Sequence, residues 1–259
     1  MRKKIARKLE RVPQAPRTPM PELAEFLAPL RVQFTQGPSP ETLRQYLTGL
    51  LTEHPNKNCD TLATIVPETR EQQWQYLLTD MVWDEQSLNR QRIAQMQQLP
   101  SEGEGVLIVD DTGFEKNGRQ SVGVGRQYTG TVGKVTSCQV TVNCHYAERT
   151  LAWPVVTRLY LPEEWADDAE RRKRVRIPPE IGFQTKAEIA LALVDEAQAC
   201  GVAHACVTGD ADYGDNPEVW THLRSERVVT RKHSCKSWVC YDTTLATHSP
   251  VPLYQHPYA

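Results

Sequence analysis

The stretch VLIVDDTGFEKNG, residues 106–118, decides how this chain is read. Four aliphatic residues, Val106 to Val109, predict a buried strand. That strand is expected to end in Asp110 and Asp111, with Thr112 and Gly113 opening a turn. Two adjacent carboxylates at a strand tip are costly to hold unless a cation sits with them. A hard divalent ion meets that need, because Mg²⁺ prefers carboxylate oxygens. A second acidic strand end stands in ACVTGDADYGDN, residues 205–216, which carries Asp210, Asp212 and Asp215. Two acid-tipped strands far apart in sequence are what a nuclease or strand-transfer site on one sheet requires.

Between these two stretches the pattern is mostly strand. Residues 121–128 and 136–146 read as strands separated by the turn-rich TGTVGK. Cys138, Val140, Val142 and Cys144 alternate as in a strand with one buried face. Three strands joined by short turns predict an antiparallel meander. Residues 147–182 read as an irregular insert containing RRKRVR, five cations in six positions. Residues 185–199 are expected to be helical, 202–208 a strand and 217–227 a helix. The order is β-β-β-α-β-α, and there is no internal repeat.

Upstream, PSEGEG at 100–105 is the clearest linker. Residues 39–99 predict a helical domain. Ser39 is a candidate N-cap, Pro40 fits the first helical position, and Leu43, Tyr46, Leu47, Leu50 and Leu51 form an apolar stripe. Trp74, Leu77, Leu78 and Met81 share a face within 70–98. Residues 1–38 form a basic, Pro-rich arm. Its first twenty residues hold seven Lys or Arg and one Glu, which reads as a solvated arm or a phosphate-contacting one.

The bulk numbers exclude some classes. The 259 residues carry a net charge of −2, so any nucleic-acid contact must use local basic patches. No apolar run is long enough for a membrane helix, and the basic N-terminus lacks the apolar core of a signal peptide. Seven Cys, an odd number without a regular framework, fit a reducing cytoplasm.

Several stretches together resemble one family. They are DDTGFEKNGRQSVGVGRQYTGTVGKVTSCQVTVNCHY from residue 110, QYLLTDMVWDEQSL at 75–88, RLYLPEEWADDAERR at 158–172, and FQTKAEIALALVDEA at 183–197 leading into GDADYGDN. This ordered set is similar to bacterial insertion-sequence DDE transposases, most of all to the insertion-sequence family numbered seven hundred and one. The resemblance covers about residues 55–225. It implies an α/β fold with an RNase H-like core over residues 100–227, behind the helical domain. It also implies Mg²⁺-dependent cleavage and strand transfer on double-stranded DNA, with Mn²⁺ as a substitute metal.

Carried over residue by residue, the resemblance makes Asp110 the first metal ligand, because Asp110-Asp111-Thr112 fits an Asp-x-Ser/Thr pattern. Asp111 stays a catalytic candidate, and strand alternation lets only one of the two face the site. Asp210 is the second ligand, in an Asp-x-x-Tyr-Gly pattern, while Asp215 is expected to cap the next helix. The family's third carboxylate, a distant Glu, has no counterpart: Glu218 and Glu226 lie too close to Asp210. From about Val228 to residue 259 the chain is expected to be an aberrant, disordered tail. Its His233, Cys235, Cys240 and His248 lack the paired spacing of a zinc site. Candidate DNA contacts are Arg126, Lys134, Arg171, Arg172, Lys173 and Arg174. Trp153 and Trp165 are expected in the core. Three readings remain open: a transposase weakened by the missing carboxylate, a non-catalytic DNA-binding chain that regulates an intact copy by mixed oligomerisation, or another metal-dependent nuclease on the same fold.

Overall fold

The computed structural model describes residues 15–17, 20–33, 40–81, 84–101, 105–214, 216, 229–231 and 239–242. The expectations for residues 1–14, Ser39, Asp215, the helix 217–227, Glu218, Glu226, His233, Cys235 and His248 fall outside them. The chain divides into two compact units, residues 1–95 and 96–259.

The first unit is helical: α1 (Pro21–Leu27) running into a 3-10 turn (Ala28–Gln33), α2 (Pro40–Leu50), α3 (Cys59–Ile65), α4 (Glu71–Thr79) and α5 (Glu85–Met96). α1 lies within the stretch 1–38 that sequence reads as a basic, Pro-rich arm, and past the twenty residues read as solvated. Pro21 opens the helix, and Leu23, Leu27 and Leu30 recur at helical spacing to form one buried cluster. The stripe on α2 divides between two clusters. Leu43 and Leu47 join the α1 leucines, whereas Tyr46 and Leu50 pack on Leu62, Ile65, Val66 and Trp74. Leu51 lies past the helix end and is 60% exposed. The N-cap of α3 is Asn58, whose side chain accepts from the Thr61 N–H at 2.9 Å.

The second unit is built on a mixed sheet with seven strands among the described residues. They are β1 (Val106–Glu115), β2 (Gly125–Thr129), β3 (Lys134–Ala147), β4 (Ala152–Leu159), β5 (Cys206–Gly209), β6 (Val229–Arg231) and β7 (Val239–Asp242). Across the sheet the order is β2-β3-β1-β5-β7-β6, with β4 pairing β3 alongside β2. β3 is antiparallel to β1, β2 and β4; β1 and β5 are parallel. The helices are α6 (Glu163–Ala166), α7 (Ala169–Arg174), α8 (Lys186–Ala199) and α9 (Ala211–Gly214).

Four expectations are corrected. β1 does not stop at Asp110; it runs on to Glu115, because β3 pairs with all ten of its residues. Gly113 is therefore not a turn residue. It lies inside the strand, where an added Cβ would run into Oγ1 of the buried Thr129. The insert 147–182 is not irregular: it supplies β4, α6 and α7. The segment from Val228 is not devoid of strands, since β7 pairs antiparallel with β5, and β6 with β7. Strands of three and four residues are too short to show a period in sequence; it is the neighbouring edge that orders them.

Strand alternation gives the sheet two different faces. On one, Leu107 and Val109 of β1 register with Tyr146 and Cys144 of β3, all buried. Helix α8 packs against β1, β3 and β4, and Glu196 of α8 accepts from Arg158 of β4 at 3.0 Å. The other face is polar around Asp110 and Asn143. There the buried Asn143 donates to Thr112 Oγ1 at 3.1 Å and accepts from Thr157 at 3.1 Å and Thr141 at 3.2 Å. Trp153 and Trp165 are buried as expected.

Candidate metal and phosphoryl-transfer site

The parallel pairing of β1 with β5 builds the site. Val109 registers with Gly209, so Asp110 and Asp210 are each the next residue on neighbouring strands. Such strands lie about 4.8 Å apart, which makes the two acids neighbours. The cross-strand pair of Asp110 is Asn143, on the polar face. Its Oδ1 accepts from the Asp111 N–H at 2.8 Å. Asp210 Oδ1 accepts from the N–H groups of Asp212 at 3.0 Å and Tyr213 at 3.4 Å, capping α9. Among the described residues, Oδ2 of Asp110 and Oδ2 of Asp210 have no hydrogen-bonding partner.

The electrostatics agree with this placement. Burial of its carboxyl pushes the pKa of Asp110 up, with the charges of Asp210 and Asp111 adding to the rise. The Asp111 N–H and the nearby His145 oppose it. Burial raises Asp210 too, helped by Asp212 and Asp111 and opposed by the N–H groups of Tyr213 and Asp212. Two neighbouring carboxyls both pushed toward protonation form a pair short of positive charge. Mg²⁺ is characteristically bound through one or two carboxylates together with substrate phosphates and waters. Two carboxylate oxygens without partners among the described residues, one inside β1 and one just past the end of the adjacent β5, suit it.

Asp111 has a different role. Alternation places it on the helix-covered face, where its Oδ2 is ion-paired with Lys186 Nζ at the start of α8. The Lys186 ammonium also lies 5.8 Å from the centroid of the Tyr160 ring. Tyr213 is buried, and its Cβ would lie 3.3 Å from a Cβ at Gly209, so a glycine lets the ring close over the strand end. The Tyr213 hydroxyl has no partner among the described residues. Its pKa is driven far above the ordinary phenol range, by burial first and then by Asp111, Asp210, Asp110 and Asp212.

The candidate cations separate into groups. The Arg171 guanidinium lies 3.4 Å from the Trp165 ring centroid and donates to the Arg119 carbonyl at 2.9 Å. Arg172 donates to the carbonyls of Ala166 at 3.3 Å, Pro178 at 3.0 Å and Ile181 at 2.6 Å. Arg172 is engaged in the packing of its own loop, and Arg171 ties that loop to the connection between β1 and β2. Lys173 and Arg174 are exposed. Arg126 is exposed on β2, and its pairing with Ser137 puts it on the face of Asp110; Lys134 is exposed at the start of β3.

Among the described residues no group of three or more His, Cys, Asp or Glu side chains could hold a metal. Asp242 registers with Cys206, at the opposite end of β5 from Asp210. Sequence reasoning missed Lys186, Asn143 and His145 as members of the site's surroundings, and met Tyr213 only as the Tyr of the Asp-x-x-Tyr-Gly pattern. Of the three missed, Lys186 left a signal: Thr185-Lys186-Ala187-Glu188 is a helix start carrying a cation where an anion is the usual choice.

The family described as DDE superfamily endonuclease has a model that matches residues 29–258. The chain belongs to that family. The matched range includes 228–258, where the family pattern had been expected to end. A similar protein is a "Probable transposase for insertion sequence element IS701" of Microchaete diplosiphon, 26% identical over 176 residues. That alignment takes in 68% of this chain and 43% of the relative, so this chain spans less than half of that protein's length. These findings bear out the resemblance to insertion-sequence DDE transposases. No solved structure matches.

Proposed function

We propose that this chain cuts and joins DNA at the ends of an insertion sequence by Mg²⁺-dependent phosphodiester chemistry. Asp110 and Asp210 hold the metal, and Mn²⁺ can replace it. The observation that carries this reading is the register that makes Asp110 and Asp210 neighbours, each with a carboxylate oxygen that has no partner among the described residues. An RNase H-like core is supported by the strand order β4-β3-β1-β5, with β1 and β5 parallel and α8 between them in sequence. When bound, Mg²⁺ supplies charge stabilisation at the phosphate and a lowered pKa for the attacking oxygen. The residues of the chain fix the frame: Asn143 and Thr112 brace β1 on the polar face, and the α9 cap orients the Asp210 carboxylate. Of the candidate cations, Arg126, Lys134, Lys173 and Arg174 are exposed and available to meet DNA phosphates.

A second reading is a DNA-binding chain without cleavage activity that regulates an intact copy in a mixed oligomer. The absence of a third ligand among the described residues favours it. One experiment separates the two: incubation of the purified chain with cognate element ends and Mg²⁺ or Mn²⁺, with cleavage and binding followed together. Cleavage lost in both Asp110→Asn and Asp210→Ala, with binding retained, supports the first reading. Binding without cleavage by the unaltered chain supports the second. Cleavage that survives both substitutions overturns the site.

A further inference from the structure

We infer that Lys186 is a positioning residue that holds the Asp111 carboxylate on the helix-covered face and so reserves metal binding for Asp110. The inference rests on the proposed metal site and deepens it, because DDTG offers two consecutive carboxylates and only one can serve. Alternation along β1 sends them to opposite faces, and the Asp111 Oδ2–Lys186 Nζ ion pair fixes that choice. The stem of the cation is anchored, because Lys186 is the first residue of α8 and that helix start is locked reciprocally. Thr185 Oγ1 accepts from the Glu188 N–H at 3.2 Å, and Glu188 Oε2 accepts from the Thr185 N–H at 2.7 Å. Tyr160 flanks the ammonium on its ring side.

Stability is a poor explanation for the pair. The side chains of Lys186 and Asp111 remain 33% and 24% exposed, and ion pairs so open to water add little to folding. What the pair does accomplish is neutralisation. Asp110, Asp111 and Asp210 lie within range of one another's charge. One ammonium bound to Asp111 leaves two carboxylates for one divalent ion and turns a competing ligand into a counter-ion.

The test is Mn²⁺ binding to the full chain without DNA, read by calorimetry and by the Mn²⁺ spin-resonance signal. Asp110→Asn should weaken binding about tenfold or more, while Asp111→Asn should leave it within about twofold. In Lys186→Met the released Asp111 competes, so adding Asp111→Asn in that background should shift Mn²⁺ affinity by more than about threefold. Lys186→Arg should keep the behaviour of the unaltered chain. Equal losses in Asp110→Asn and Asp111→Asn would overturn the inference while leaving the metal site standing. An Asp111→Asn effect that Lys186→Met does not alter would also overturn it. Should Lys186→Met fail to fold by circular dichroism, the two single Asp variants decide alone. Mn²⁺ affinity unchanged in both would remove the metal site and this inference with it.

Discussion

At Gly113 a single methyl group separates two readings of the same four letters. As a turn residue it would tolerate alanine; inside β1 it faces Thr129, and a Cβ would overlap the threonine hydroxyl. Gly113→Ala is expected to destabilise the chain by about 1–3 kcal/mol in urea titration, the usual cost of overpacking. Pairing it with Thr129→Gly should recover part of that loss, because the Thr129 Cβ stands in the way as well as the hydroxyl, and Thr129 Oγ1 has no partner among the described residues. An unchanged midpoint in the single variant would return Gly113 to a loop. The acids give a second test at this scale. Asp110 and Asp210 have folded pKa values raised above the ordinary carboxylate value of 3.8. The folded chain therefore binds these protons more tightly than the unfolded one. Their contribution favours folding below that ordinary value and is lost as pH climbs through the raised folded values. Without metal, Asp110→Asn should melt higher than the unaltered chain at neutral pH, and the gap should close in acid. Mg²⁺ should stabilise the unaltered chain and not the variant. Asp110 and Asp210 were legible in sequence, because acids after aliphatic runs are a local signal. The pairing of Lys186 with Asp111 was not, because their separation of 75 positions is bridged only by the fold.

The elements were read correctly where a period was long enough to see, and misread where neighbours decide the outcome. α8, with its capping box and apolar face, matches its sequence signature almost to the residue. β1 was read too short, since the acids that interrupt its apolar run are held in place by β3 rather than by their own propensity. The basic run in α7 misled in another way. Sequence treats Arg171 to Arg174 as one patch, but the helix divides it: Arg171 stacks on Trp165, and Arg172 ties together three carbonyls. The two halves should therefore respond to different assays. Arg171→Ala with Arg172→Ala should lower stability by about 1–3 kcal/mol, through lost cation–π and hydrogen-bond contacts. Lys173→Ala with Arg174→Ala should leave the melting temperature unchanged and reduce the log–log salt slope of DNA binding by about 1 per charge. Equal effects of both pairs on that slope would make the whole run a phosphate patch.

Over the whole molecule, charge alone does not draw the chain to DNA: the net value is −2, and the site adds a local excess of carboxylates. Any approach of DNA to Asp110 must be guided by the face on which Asp110 lies. Register places Arg126 on that face, together with Phe114, Tyr128 and Val135. Phe114 and Tyr128 are 50% and 59% exposed, and Val135 is exposed beside them. Large apolar side chains left in water beside a cation, on the same sheet face as the proposed metal ligand Asp110, suit an unpaired DNA end. Its bases can stack on the rings while its phosphate meets the guanidinium. This arrangement was invisible in sequence, because three strands contribute to it and only their register brings the residues to one side. The two chemistries predict different salt signatures. Arg126→Ala should weaken binding of a frayed or single-stranded element end and reduce the salt slope by about 1. Phe114→Ala with Tyr128→Ala should weaken binding by about 1–3 kcal/mol per lost stack, with the slope unchanged, because stacking releases no counterions. Fully paired duplex, whose bases are already stacked on one another, should be bound almost equally by the aromatic double variant and the unaltered chain. Equal loss on paired and unpaired DNA would show that the rings support the sheet and do not contact the bases.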